Sequence, residues 1–278
     1  MIKSILLPVD GSEYTDTVLK YGIYLAQQLD ARIMVLSVVD IRIFEWALSM
    51  GSDGFVPIVP SGAYHDESRK LLEKRAQAIL KKSSKMLETN NISHEVEMVS
   101  GSPIEIISEQ AHLADLLIMG NRGEYARWKS TTIGATLEAV TRQINKPILI
   151  TPKEYRDFKK IQVAYDGSDN ANRALQLAGY LGSQLNIEVL IITISDNEQL
   201  GQNICDEAVK YLESYDVKLK TAVLKGDVES VILSTAHENE ADVILMGAFG
   251  HSRIREAILG STTSHIMRKS DIPVLLSK

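Results

Sequence analysis

The chain repeats itself over the length of a domain, and that repeat restricts its fold more than any other feature. Ile5-Leu6-Leu7-Pro8-Val9-Asp10-Gly11-Ser12 matches Ile161-Gln162-Val163-Ala164-Tyr165-Asp166-Gly167-Ser168, and Val35 to Asp40 matches Ile191 to Asp196 in the same alignment. Gly101, Gly120 and Pro147 match Gly226, Gly247 and Pro273 only after a further shift. That shift places about 30 extra residues between the second strand and second helix of the first half. At 278 residues, length alone allows one large domain or two ordinary ones, and the repeat selects two.

Each half alternates strand and helix. Val18, Tyr21, Gly22, Leu25, Ala26 and Leu29 recur with helical spacing, as do Ala171, Ala174, Leu175, Ala178 and Leu185. Ser12 and Ser168 stand where they can cap these helices. A Lys/Glu-rich helix runs from about Asp66 to Thr89, and Ser102 with Glu105 has the spacing of a capping box, with Pro103 at the first helical position. Leu116 to Met119, Ile148 to Ile150, Val243 to Met246 and Val274 to Leu276 read as short buried strands. The pattern predicts an α/β protein of two consecutive doubly wound domains, each with a five-stranded parallel sheet. In strand order 3-2-1-4-5 the ligand crevice lies between strands 1 and 4, which end at Asp10 and Gly120, or at Asp166 and Gly247. The predicted domains are 1–152 and 161–278, joined by a charged linker at 153–160. The extra stretch 41–65 carries Phe44, Trp46, Phe55 and Tyr64 among glycines and prolines, as a lid or partner-contact loop would.

A net charge of −6 argues against a nucleic-acid partner. No apolar run is long enough for a membrane span, and the N-terminal one is too short for a signal peptide. The single cysteine, Cys205, fits a reducing cytoplasm and a packing role on a helix.

After the fourth strand of the second half the chain reads Gly247-Ala248-Phe249-Gly250, then nine residues, then Gly260-Ser261-Thr262-Thr263. Glycines let backbone approach an anion closely, and a glycine followed by hydroxyls opens a helix whose free N–H groups attract phosphate. No catalyst accompanies this cradle. Ser261 lacks a nucleophile elbow, no P-loop lysine is present, and no Gly-x-Gly-x-x-Gly follows strand 1. Asp10 and Asp166 read as turn and cap residues, and the six histidines show no metal spacing. The residues describe a binder, with neither catalytic nor metal-ligating groups and hydrolysis slow at most.

The two Asp-Gly-Ser strand ends and the Gly-x-x-Gly-nine-Gly-Ser pattern, repeated in tandem, resemble the universal stress protein family over the whole chain apart from the 41–65 insert and the linker. The resemblance implies a Rossmann-like, HUP-like nucleotide-binding fold and a ligand such as ATP, ADP or AMP, with or without magnesium. On the second half it places the adenine edge at Asp166, backbone and apolar contacts at Ile194, and the ribose wall at Met246 and Gly247. Phosphates would lie at Gly250, Gly260, Ser261, Thr262 and Thr263, with His251, Arg253 and Arg255 nearby to neutralise charge. The first half offers the weaker set Asp10, Val38, Met119, Gly120, Gly123, Gly134 and Thr136, because ten residues precede Gly134 and Ala135 replaces the expected hydroxyl. Thr136 would substitute if the register slipped by one. The resemblance also implies that the last strands pair the halves as an internal pseudo-dimer, and two chains are expected to associate further. On a differential-contact argument, nucleotide would order the loop from His251 to Leu259 and so pass occupancy to a protein partner. A scaffold that binds a protein or lipid-like ligand without nucleotide, and a slow ATPase or phosphotransferase, are the competing functions.

Overall fold

The computed structural model describes residues 1–40, 62–123, 133–248 and 260–278, with side chains from residue 66 onward in the second stretch. The first half comprises β1 (Ser4–Pro8), α1 (Thr15–Leu29), β2 (Arg32–Asp40), α2 (Gly62–Thr89), β3 (His94–Gly101), α3 (Pro103–Ala111), β4 (Leu116–Gly120), α4 (Ala135–Gln143) and β5 (Ile148–Thr151). The second comprises β6 (Lys160–Ala164), α5 (Asp169–Leu185), β7 (Glu188–Ile194), α6 (Glu198–Leu212), β8 (Lys218–Leu224), α7 (Val228–Glu238), β9 (Val243–Gly247), α8 (Ser261–Lys269) and β10 (Val274–Ser277). Helix α2 begins at Gly62, four residues ahead of the sequence expectation. The rest of the 41–65 insert lies outside the described residues.

The ten strands among the described residues form one sheet, in the order β3-β2-β1-β4-β5-β10-β9-β6-β7-β8. Each half keeps the order 3-2-1-4-5, with every pairing inside a half parallel. The halves meet at an antiparallel seam in which Val274, Leu275 and Leu276 face Ile150, Leu149 and Ile148. The pairing implied for the last strands is therefore present, and it turns two sheet edges into interior strands.

Strand pleating sends alternate residues to opposite layers. Ile5, Leu7, Ile161, Val163 and Leu275 join a core with α1, α2, α5 and α6, and this core runs through both halves. Leu6, Ile148, Ile150, Ile244 and Val274 join the other, under α3, α4, α7 and α8. The strands read as continuous apolar runs because both faces are covered.

The expected charged linker is a packed strap. Tyr155 and Phe158 lie against Tyr21, with ring centroids 4.7 Å and 5.4 Å away. The Tyr21 hydroxyl accepts from the Arg156 amide (3.1 Å), and the hydroxyls of Thr17 and Tyr24 donate to the Lys153 and Phe158 carbonyls. Charged residues at 153, 154, 156, 157, 159 and 160 concealed two aromatic anchors between them.

Two local expectations fail. Ser102 precedes α3 without a side-chain cap bond, so the capping box with Glu105 is not formed, although the Ser102 carbonyl accepts the first helical bond from the Ile106 amide. Ser12 does not cap α1, whose first residue follows Tyr14; its hydroxyl reaches only the Tyr14 amide at 3.4 Å. Ser168 does cap α5, accepting from the Ala171 amide at 3.2 Å. Cys205 is fully buried on α6, with its thiol donating to Thr193 Oγ1 at 3.3 Å, and burial pushes that thiol up.

Candidate functional site

The crevices lie where β1 and β4, or β6 and β9, diverge at their C-terminal ends. Asp10 closes a turn: its Oδ1 accepts from the Ser12 amide at 2.9 Å, and Gly11 at φ +75° occupies the left-handed region. The second half repeats the turn, with Ser168 N–H donating to Asp166 Oδ1 at 3.0 Å and Gly167 at φ +76°. Both aspartates are thus held by their own turns with the carboxyl beside the crevice.

The glycines ending β4 and β9 serve close packing. A Cβ on Gly120 would stand 2.5 Å from Tyr14 Cβ, and one on Gly247 would stand 2.9 Å from Asn170 Cβ. Strand 4 can approach the first turn of the opposing helix only without a side chain there. A Cβ on Gly123 would lie 2.8 Å from Asp10 Oδ2, so the loop after β4 rests on the aspartate that ends β1. The Gly134 amide donates to the Asn121 carbonyl at 3.1 Å, joining the end of β4 to the start of α4.

Gly134 and Gly260 directly precede α4 and α8, and neither helix has a side-chain cap. A helix start without a side-chain cap is the kind of place where an incoming acceptor can meet first-turn amides. Ala135 and Ser261 are exposed, Thr136 and Thr262 half-buried, Leu137 and Thr263 buried, so the two helices match position for position. Thr136 therefore stands in the place of Thr262 without any slip in register. The Thr263 hydroxyl donates to the Ala248 carbonyl at 2.9 Å, which ties α8 to the end of β9.

In the first half the crevice opens into a cavity of about 590 Å³. Asp10, Val38, Met119, Gly120, Gly123, Gly134 and Thr136 all line it. The motif spacing thus converges on one space, within the roughly 300–1,000 Å³ of small-ligand sites. Leu72, Arg75, Ala76 and Ile79 of α2 line the same space and were missed. Their i, i+3, i+4, i+7 spacing was available as a signal, but it is interleaved with the Lys and Glu that dominate this helix.

In the second half Asp166, Ile194, Met246 and Gly247 occupy the corresponding ends of β6, β7 and β9, with Gly260 to Thr263 at the start of α8. Ile194 is the last residue of β7 and pairs with Leu224 of β8. Gly250, His251, Arg253 and Arg255 lie outside the described residues. Tyr165 precedes Asp166 with its hydroxyl donating to Asn172 Oδ1 at 2.7 Å; burial, with Glu207 and Asp166 nearby, pushes the phenol up.

Two doubly wound α/β units, each with a crevice at its strand-order reversal, define the structural class. The sequence model of the Universal stress protein family matches residues 1–152 and 157–278, and the chain belongs to that family. A universal stress protein of Synechocystis sp. is 33% identical over 99% of both chains. One from Methanocaldococcus jannaschii is 29% identical over 56% of this chain and 86% of its own length. The crystal structure of a universal stress protein from Archaeoglobus fulgidus superposes with a TM-score of 0.76 at 24% identity, covering 99% of this chain and 98% of that one. The tandem arrangement is thus shared along essentially the whole length of the Synechocystis relative.

Proposed function

We propose that the chain binds an adenine nucleotide, ATP or a related form, in the crevices between strands 1 and 4, and acts as a nucleotide-dependent regulatory module. The observation that carries this reading is the convergence of seven motif positions on one 590 Å³ cavity whose far wall is an uncapped helix start. Asp10 and Asp166 would take polar edges of the base, Val38 and Ile194 its apolar face, and the first turns of α4 and α8 the phosphates. The second half supplies more hydroxyls, since Ser261 stands where the first half has Ala135, and we assign it the tighter motif-based hold. Domains 1–152 and 161–278 act in this account as paired units, and two chains associate through surfaces other than the seam.

Among the described residues we assign neither crevice a group that sets up phosphoryl transfer. A transfer enzyme needs a base or water-positioning group beside the phosphates. Asp10 and Asp166, the acids that follow strand 1 of each half, are both engaged in turns. Calorimetric titration with ATP tests the proposal: saturable binding is expected, together with a rise in melting temperature equivalent to about 2.7 kcal/mol at a hundredfold excess over Kd. No heat of binding and an unchanged melting temperature in excess ATP would contradict it.

A further inference from the structure

Helix α2 brings Arg75 to the first-half cavity, where the matching helix of the second half carries a leucine. Leu72, Arg75, Ala76 and Ile79 share one helical face on that cavity. Ile79 sets how closely α2 sits, because a Cβ on Gly11 would stand 2.7 Å from its Cδ1. Arg75 Nη2 lies 3.7 Å from the same point, so its guanidinium hangs over the turn that follows Asp10. Helix α6 takes the same place in the second half: Ile204 Cγ2 lies 3.9 Å from the Cβ position of Gly167, the residue matching Gly11. Counting back four residues from Ile204, as from Ile79, puts Leu200 in the place of Arg75, and Leu200 is 53% exposed. A leucine left half in water and an arginine at one position differ in charge chemistry rather than in core packing.

We infer that Arg75 is a ligand-binding side chain of the first-half cavity and that it selects a phosphorylated nucleotide over the uncharged nucleoside. The inference rests on the nucleotide reading above and assigns a chemistry to the half that the motif alone disfavours. Asp10 and Asp40 line the cavity and repel a polyanion, and Arg75 and Arg122 line it as well, offsetting those two charges. A guanidinium presents a planar fork of donors matched to phosphate oxygens, which makes good the hydroxyl missing at Ala135.

The test uses the full chain carrying Gly260→Asp, which sets a carboxylate at the start of α8 and closes the second crevice to phosphate. ATP and adenosine are titrated calorimetrically into this protein with and without Arg75→Leu, the residue found at Leu200. Arg75→Leu is expected to weaken ATP roughly ten- to hundredfold while adenosine changes by less than about threefold, and Arg75→Lys to recover part of the loss. Unchanged ATP affinity, or equal losses for ATP and adenosine, would overturn the assignment. So would the loss of all binding on Gly260→Asp alone, which leaves the nucleotide reading intact for the second half. Failure of ATP to bind the unsubstituted chain would overturn that reading as well.

Discussion

At the level of single residues, the chain uses one device twice to fix the strands that flank each crevice at their N-terminal ends. Asp115 Oδ2 accepts from the Lys3 and Ser4 amides at 2.8 Å and 3.0 Å, and Asp242 Oδ2 accepts from the Lys159 and Lys160 amides at 2.8 Å and 3.0 Å. Each carboxylate therefore ties the start of strand 1 to the segment entering strand 4. Burial raises the Asp115 carboxyl, but the bonds from Lys3 and Ser4 outweigh it and hold the group below its ordinary range. A depressed folded value means stability that is present above the unfolded pKa, near ~4, and lost as pH falls through the lower folded value. Asp115→Asn should cost about 1–2 kcal/mol at neutral pH, with the difference from wild type shrinking below about pH 4. Denaturant melts across that range check it; a cost independent of pH would show that the charge is not what holds the strands. Neither aspartate stands out in sequence, because the bond is to backbone of a distant strand and leaves no local pattern.

At the level of elements, sequence periodicity located most of the helices and strands, because buried strands and amphipathic helices write their burial into the order of residues. It failed where a local pattern and a distant partner disagreed. The strap at 153–160 is charged at most positions, yet Tyr155 and Phe158 anchor it on Tyr21, a residue with no exposed surface. Helix α2 was located, but its cavity face was not, since Arg75 reads as one more surface charge. Burial pushes the Tyr21 phenol up to about 12. The neutral form is therefore favoured in the folded chain, and its stabilisation holds below pH ~10 and is lost as pH rises through the folded value. Tyr21→Phe removes the acceptor for the Arg156 amide and should cost about 0.5–1.5 kcal/mol at pH 7. The same variant should lose less stability than wild type between pH ~10 and ~12, measured by thermal melts, and a parallel decline in both proteins would place the alkaline transition elsewhere.

Across the whole molecule, the repeat in the sequence becomes a pseudo-twofold arrangement about the β5–β10 seam. One core runs through both halves, so Ile5 and Val163 belong to a single packed layer even though they come from different repeats. The two crevices match in frame: the Asp10 and Asp166 turns, the close approaches at Gly120 and Gly247, and the helix starts after Gly134 and Gly260. They differ at matching positions, with Ala135 and Arg75 in the first half against Ser261 and Leu200 in the second. The shared frame was legible because glycine and aspartate at strand ends carry backbone geometry in their identity. The lining was only partly legible, since α2 enters from the region where the repeats diverge. The most direct measurement is a crystal structure of the full chain grown with ATP. The account predicts the base against Asp10 and Val38, or Asp166 and Ile194, with the phosphates on the first turn of α4 or α8. Nucleotide bound elsewhere on the molecule, or crevices left vacant at ATP concentrations that saturate binding in solution, would contradict it.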